Sequence, residues 1–164
     1  MGYETIFKGS FYFNKSPSEK LKTYINSFSK TRHMKRDPEI IKKIDLNWKE
    51  HCFNGILGKE GSYYIKENTE NDNSILNYNT PPSEQPGLWC DWIINECGNL
   101  CWDGIEKFYS YDIWLKYLIE HFFKSENLIL NGEVRFEGED SEDKGYIIVK
   151  NNIVSMIYDN EYIN

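Results

Sequence analysis

Between residues 131 and 158 the chain passes through three short stretches, 131–137, 145–150 and 153–158, in which apolar and polar residues tend to alternate. Two connections separate them: an acidic run from Gly138 to Lys144, and Lys150-Asn151-Asn152. Alternate residues of a strand face opposite sides. Connections this short join antiparallel neighbours, because a parallel crossover needs a dozen residues or more. The C-terminal third is therefore committed to a three-stranded meander with one face to cover.

The rest of the chain supplies the cover. Thr5, Phe7, Gly9, Phe11 and Phe13 alternate with Ile6, Lys8, Ser10 and Tyr12, which reads as one strand with an aromatic face. Ser16-Pro17-Ser18-Glu19 reads as a capping box, with Ser16 the cap and Pro17 the first helical residue. Leu21, Tyr24, Ile25 and Phe28 come next at helical spacing. Asp37-Pro38-Glu39 starts a second, short helix through Ile44, with Asp37 as its cap. A third helix is expected over 110–124, with Tyr111, Trp114, Leu115, Leu118 and Phe122 on its apolar side. Segments 88–94 and 100–103 read as a hairpin, and 62–66 as a further short strand. The Asn-rich stretch continuing into Pro81-Pro82 and Pro86-Gly87 reads as a flexible loop over 67–87. The sum is an α+β fold: one domain over residues 1–164, with an antiparallel or mixed sheet and two or three helices packed on one face.

Composition bounds the function. The chain has 164 residues and a formal net charge of −7. Such an acidic chain is a poor direct binder of nucleic acid. No apolar run approaches the roughly 20 residues of a membrane span, and residues 1–5 carry no signal-peptide pattern, so the cytoplasm is the expected address. The four cysteines, Cys52, Cys90, Cys97 and Cys101, lack the two tight ligand pairs of a structural zinc site. No metal, no cofactor and no disulfide is expected. Cys52 sits directly after His51, but neighbouring strand residues point apart, and no nucleophile elbow, phosphate-binding loop or zinc-protease motif occurs. The acidic connection 138–144 lacks the ligand order of a calcium loop.

Two features are candidates for binding. Lys30, Arg32, His33, Lys35 and Arg36 form the one dense basic cluster, more cations than a helix C-terminus calls for. Either an external anion compensates them, or the protein's own acids do, with Asp37 and Asp103 the acids in view. The expectation is that Arg32, His33 and Arg36 reach the surface beside aromatic side chains. The second feature is Trp89, Trp92 and Trp102 on the hairpin, with Asp103 at its end. Trp89 and Trp92 are three apart and cannot share a strand face, so one of them would tend towards an outer surface, where a tryptophan can anchor a partner.

Several motifs carry a resemblance. They are Thr31-Arg32-His33-Met34-Lys35-Arg36-Asp37, Pro86-Gly87-Leu88-Trp89-Cys90, Trp102-Asp103-Gly104 with Glu106-Lys107-Phe108-Tyr109, and Asn131-Gly132-Glu133-Val134 with Gly138-Glu139-Asp140. Together they resemble a group of small uncharacterised proteins of phages, prophages and other bacterial mobile elements. The resemblance implies no reaction and no catalytic residue. The expectation is a non-enzymatic binding protein of such an element, one that inhibits a host defence component through a protein partner. The alternative is a domain binding a small anionic ligand or nucleotide through the basic cluster and aromatics. The third reading is a small enzyme with His33 and a carboxylate as acid and base.

Overall fold

The alternation over residues 5–13 becomes two strands, β1 (Thr5–Lys8) and β2 (Phe11–Phe13), parted at Gly9, where φ is +105°. Both keep one register on the same long strand, β7 (Leu130–Gly138): Lys8 faces Arg135, and Phe11 faces Gly132. In the computed structural model, which describes residues 2–67 and 70–162, the chain is α+β. Contacts divide it into two compact units, Met1–Ile25 with Asp91–Asn164, and Asn26–Cys90. The helix α1 (Glu19–Ser29) crosses the first boundary along the chain.

The larger unit holds a seven-stranded sheet in which every pairing is antiparallel. β7, β8 (Lys144–Lys150) and β9 (Ile153–Tyr158) form the expected meander. The hairpin of β5 (Trp92–Ile94) and β6 (Leu100–Trp102) joins through β2, giving the order β5-β6-β2-β7-β8-β9 with β1 also on β7. One face buries Phe7, Phe11, Trp92, Val134, Phe136 and Ile147. The third helix, α3 (Tyr111–Leu118), lies on that face. The Tyr111 ring meets Phe7 at 4.8 Å and Phe136 at 6.0 Å, and its carbonyl accepts the indole N–H of Trp92 at 2.9 Å. The helical path continues through a wide turn (Ile119–Phe123) and a tight one (Lys124–Glu126), where Phe122 meets Tyr24 of α1 at 5.1 Å.

The smaller unit has its own apolar cluster. α2 (Pro38–Ile44) starts as expected, with the Asp37 carboxylate accepting from the Glu39 N–H at 2.9 Å. It buries Ile41 against Cys52, Leu57 and Tyr64, with Trp48 alongside. Two expectations fail here. Segment 62–66 is not a strand: Gly58 and Glu60 have positive φ and wind the chain into tight turns instead. The segment read as a loop contains β4 (Ile75–Asn77), which pairs with β3 (Lys35–Arg36). Among the described residues no helix is long and apolar enough to cross a membrane.

The cap of α1 also lies two residues beyond its expected place. Ser18, not Ser16, accepts the Leu21 N–H at 3.1 Å, and its hydroxyl donates to Glu126 at 2.7 Å. Ser18→Ala should cost about 1 kcal/mol and Ser16→Ala close to nothing, read as urea midpoints. In the meander, Gly145 faces Tyr158, and a Cβ there would press on the Ile157 carbonyl and stand 2.8 Å from the Tyr158 Cα. Gly145→Ala should therefore destabilise the fold by roughly 1–3 kcal/mol, because only backbone is available to yield.

Candidate functional site

Two members of the basic segment, Lys35 and Arg36, are paired with acids of their own unit. Arg36 is 3% exposed. Its guanidinium donates to Asp72 at 3.0 Å and to Ser74 at 2.8 Å. Asp72 also accepts from Lys66 at 3.0 Å. Burial alone would raise the Asp72 carboxyl, but hydrogen bonds from Ser74, Lys66 and Arg36 outweigh it and hold the group well below the usual carboxylate range. Lys35 pairs with Glu60 at 3.1 Å. His33 is buried against the Phe28 ring at 4.0 Å, with Nε2 2.9 Å from the Phe28 carbonyl. Burial pushes its pKa down to about 4, so it is neutral at pH 7. Arg32 alone of the three stays half-exposed, lying 4.2 Å over the Tyr78 ring and bonded to the Tyr78 carbonyl and Asn79. His33 and Arg36 thus do not reach the surface. The compensating acids are Asp72 and Glu60, distant in sequence, rather than Asp37 or Asp103.

The tryptophans separate as well. Trp89, in the smaller unit, is 38% exposed. Trp92 and Trp102, in the larger unit, are paired across β5 and β6 and meet Phe7 at 5.6 and 5.3 Å. Trp92 is fully buried and is core. Asp103 lies just past β6, where its N–H donates to the Asp91 carbonyl at 3.0 Å, so the two aspartates face each other one step beyond the tryptophan pair. Asp91 is 3% exposed, and burial, reinforced by the Asp103 charge, lifts its pKa to about 7. Burial likewise raises Asp103. None of the four cysteines is in a disulfide, and among the described residues no group of three or more His, Cys, Asp or Glu side chains could hold a metal ion.

A different group of residues converges on a cleft. Where α2 ends, the Asp45 N–H still bonds the Ile41 carbonyl, but the backbone then turns out of the helix. Asp45 Oδ1 accepts the Asn47 N–H at 3.0 Å, closing an Asx turn. Further turns, Trp48 N–H to Asp45 and His51 N–H to Trp48, wind the chain back on itself. His51 returns beside Asp45, with Nδ1 2.7 Å from Oδ2, and the Tyr64 hydroxyl donates to the same oxygen at 2.6 Å. Asp45 therefore carries three donors. Burial works to raise its pKa, and the bonds from His51, Tyr64 and Asn47 together bring it below the ordinary value. These groups line an open cleft of about 760 Å³ with Ser27, Ile44, Leu46, Ile65, Lys66 and Glu67.

One bond sets the chemistry of this arrangement. A carboxylate on Nδ1 fixes the neutral imidazole with its proton on Nδ1, leaving the Nε2 lone pair as acceptor. His51 is nearly half exposed, so that lone pair is available to a ligand or water. The neighbour that the sequence sets beside His51, Cys52, has a buried thiol that donates to the Lys49 carbonyl at 3.4 Å. Asp45, Tyr64 and His51 itself are not among the site residues expected from sequence, where the candidate histidine is His33. Their signal lies in Asp45-Leu46-Asn47, an Asx-turn pattern at a helix end with a histidine six residues after the aspartate. Comparison of the chain with protein-family models, curated proteins and solved structures finds no match.

The two buried titrating groups act on stability in opposite senses. Asp91 holds its proton in the native state up to about 7, whereas the unfolded chain loses it near 3.8, so its contribution declines as pH rises across that window. His33 stays neutral down to about 4 while the unfolded ring protonates near 6.5, so its contribution declines as pH falls. The readable quantity is a difference. Asp91→Asn should be more stable than wild type at pH 8 and lose that advantage by pH 4, measured as paired urea midpoints. An advantage that is constant with pH would show that Asp91 is ionised throughout.

Proposed function

We propose that the Asn26–Cys90 unit carries a small-ligand site with acid–base capacity, centred on His51. The observation that carries this reading is the 2.7 Å bond from His51 Nδ1 to a carboxylate that is itself bonded three times, within a cleft. Ligand sites combine apolar walls with a few convergent polar groups, and Ile44, Leu46 and Ile65 beside His51, Lys66 and Ser27 form such a set. This moves the ligand-binding alternative away from the basic cluster, whose Lys35 and Arg36 are already occupied by acids. The roles are that of a base for His51 and that of an orienting group for Asp45, with Tyr64 fixing Asp45.

Two measurements test it. Long-range ¹H–¹⁵N NMR of the neutral His51 ring should show the proton on Nδ1, and Asp45→Asn should shift the tautomer balance towards Nε2–H. A fragment screen read out by amide shifts should give hits whose perturbations centre on Ser27, Ile44, Leu46, His51 and Lys66. A ring protonated on Nε2, or a screen whose hits all map elsewhere, removes the site.

A second reading keeps the protein as a non-enzymatic binder from a mobile element that occupies a host defence component. Its support is the rim of the same cleft, where Ile44 is 47% and Leu46 90% exposed. Side chains of that size in water are candidate anchors for a protein surface. Leu46→Asp should abolish co-purification of such a partner with the tagged protein from its host. Undiminished recovery would exclude this rim as the contact.

A further inference from the structure

We propose that Ser27 is a nucleophile for acyl transfer, with His51 as its base, and that the substrate is an uncharged ester with a short aliphatic part. The proposal rests on His51 being the base of a ligand site, and adds the reacting group and the substrate class. Three hydroxyls cluster at the end of α1 and just beyond it. Ser29 donates to the Asn26 carbonyl at 2.8 Å, and Thr31 to the Ser27 carbonyl at 2.9 Å. Helical serines and threonines commonly tie back to the preceding turn in this way. Ser27 is the exception: its hydroxyl makes no hydrogen bond among the described residues, and it lines the cleft that holds His51 and Asp45.

Serine, histidine and aspartate facing one cleft are the parts of a nucleophile, a base and an orienting carboxylate, and the constellation is defined by geometry and role rather than by chain order. No hydrogen bond joins Ser27 to His51 in this structure, and the proposal requires that one form as substrate binds, as catalytic hydrogen bonds often tighten only then. The rest of the cleft selects the substrate. Ile44, Leu46 and Ile65 offer apolar contact. Asp45 and Glu67 repel an anion, and the Lys66 charge is already matched by Asp72. The Lys66 ammonium has three donors, so those not engaged by Asp72 can face an oxyanion.

The steps balance without a co-reactant other than water. His51 Nε2 takes the Ser27 proton as Oγ bonds the acyl carbon, and the carbonyl π pair moves onto oxygen. Collapse of that adduct expels the alcohol oxygen, which leaves with the proton from Nε2, giving acyl-Ser27. Water then gives a proton to Nε2 and its oxygen attacks the acyl carbon. The carboxylic acid departs and Ser27 recovers its proton.

The test uses the full chain with two probes, p-nitrophenyl butyrate and an alkyl fluorophosphonate. The expected result is one covalent fluorophosphonate adduct, mapped by peptide mass spectrometry to Ser27. Ser27→Ala should abolish both the adduct and the burst of p-nitrophenol. His51→Gln should slow labelling by about 100-fold or more at neutral pH. Absence of an adduct on Ser27, or esterase activity undiminished in Ser27→Ala, overturns the proposal. The His51 tautomer and the fragment shifts, measured on Ser27→Ala, separate the two levels. If they persist while labelling fails, the ligand site stands and the nucleophile falls.

Discussion

The larger unit depends on a single strand. β7 holds β1 and β2 along one edge and β8 along the other, so the two ends of the sheet meet through it. What makes this possible is the shared register of β1 and β2 across the break at Gly9. With that register intact, Phe7 and Phe11 both fall on the face that buries Trp92 and Phe136. A slip of one residue would send both rings to the other side of the sheet. Gly132 lies opposite Phe11 with φ at +128°, where a side chain would stand 3.2 Å from the Phe11 Cα. The close approach of β2 to β7 therefore sets the residue type on both strands.

How much of this is legible in the sequence varies with the range of the interaction involved. The meander, the hairpin and the α2 cap rest on neighbours in the chain, and they are readable from alternation, turn residues and Asp37-Pro38. The Ser18 cap escapes narrowly, because two serines flank Pro17 and only the partner of the Leu21 N–H decides between them. The basic cluster misleads for a different reason. Five positively chargeable residues within seven positions look uncompensated until Asp72 and Glu60 are folded against them, and nothing local to residues 30–36 announces those partners. β4 is hidden in the same way, since an Asn-rich stretch has weak strand preference of its own and is ordered by pairing with β3.

Asp45 brings several of these scales together. It closes α2, starts the turns after it, and receives His51 and Tyr64 on one oxygen. Tyr64 belongs to the apolar cluster around Ile41, so the carboxylate links the packing of the smaller unit to the cleft. An imidazole held in this manner would cost little to reorganise on binding the ligand proposed above. Arg36 plays a comparable part through Asp72. It fixes Asp72, and Asp72 fixes Lys66 at the cleft wall.

The order of segments along the chain has a consequence for biosynthesis. Residues Asn26–Cys90 are continuous, while the larger unit is assembled from the segments on either side of them. On the ribosome the smaller unit can close its apolar cluster while β7 has yet to be made. β1 has no strand to pair with until more than a hundred further residues have been added, since Thr5 pairs with Gly138, and β2 must wait for β6, where Phe11 faces Leu100. At roughly 5–20 residues per second that interval lasts many seconds. Through it, two short aromatic strands stand with unpaired edges, the condition under which nascent chains associate wrongly. Their brevity, and the glycine that divides them, limit the length of edge presented during that wait.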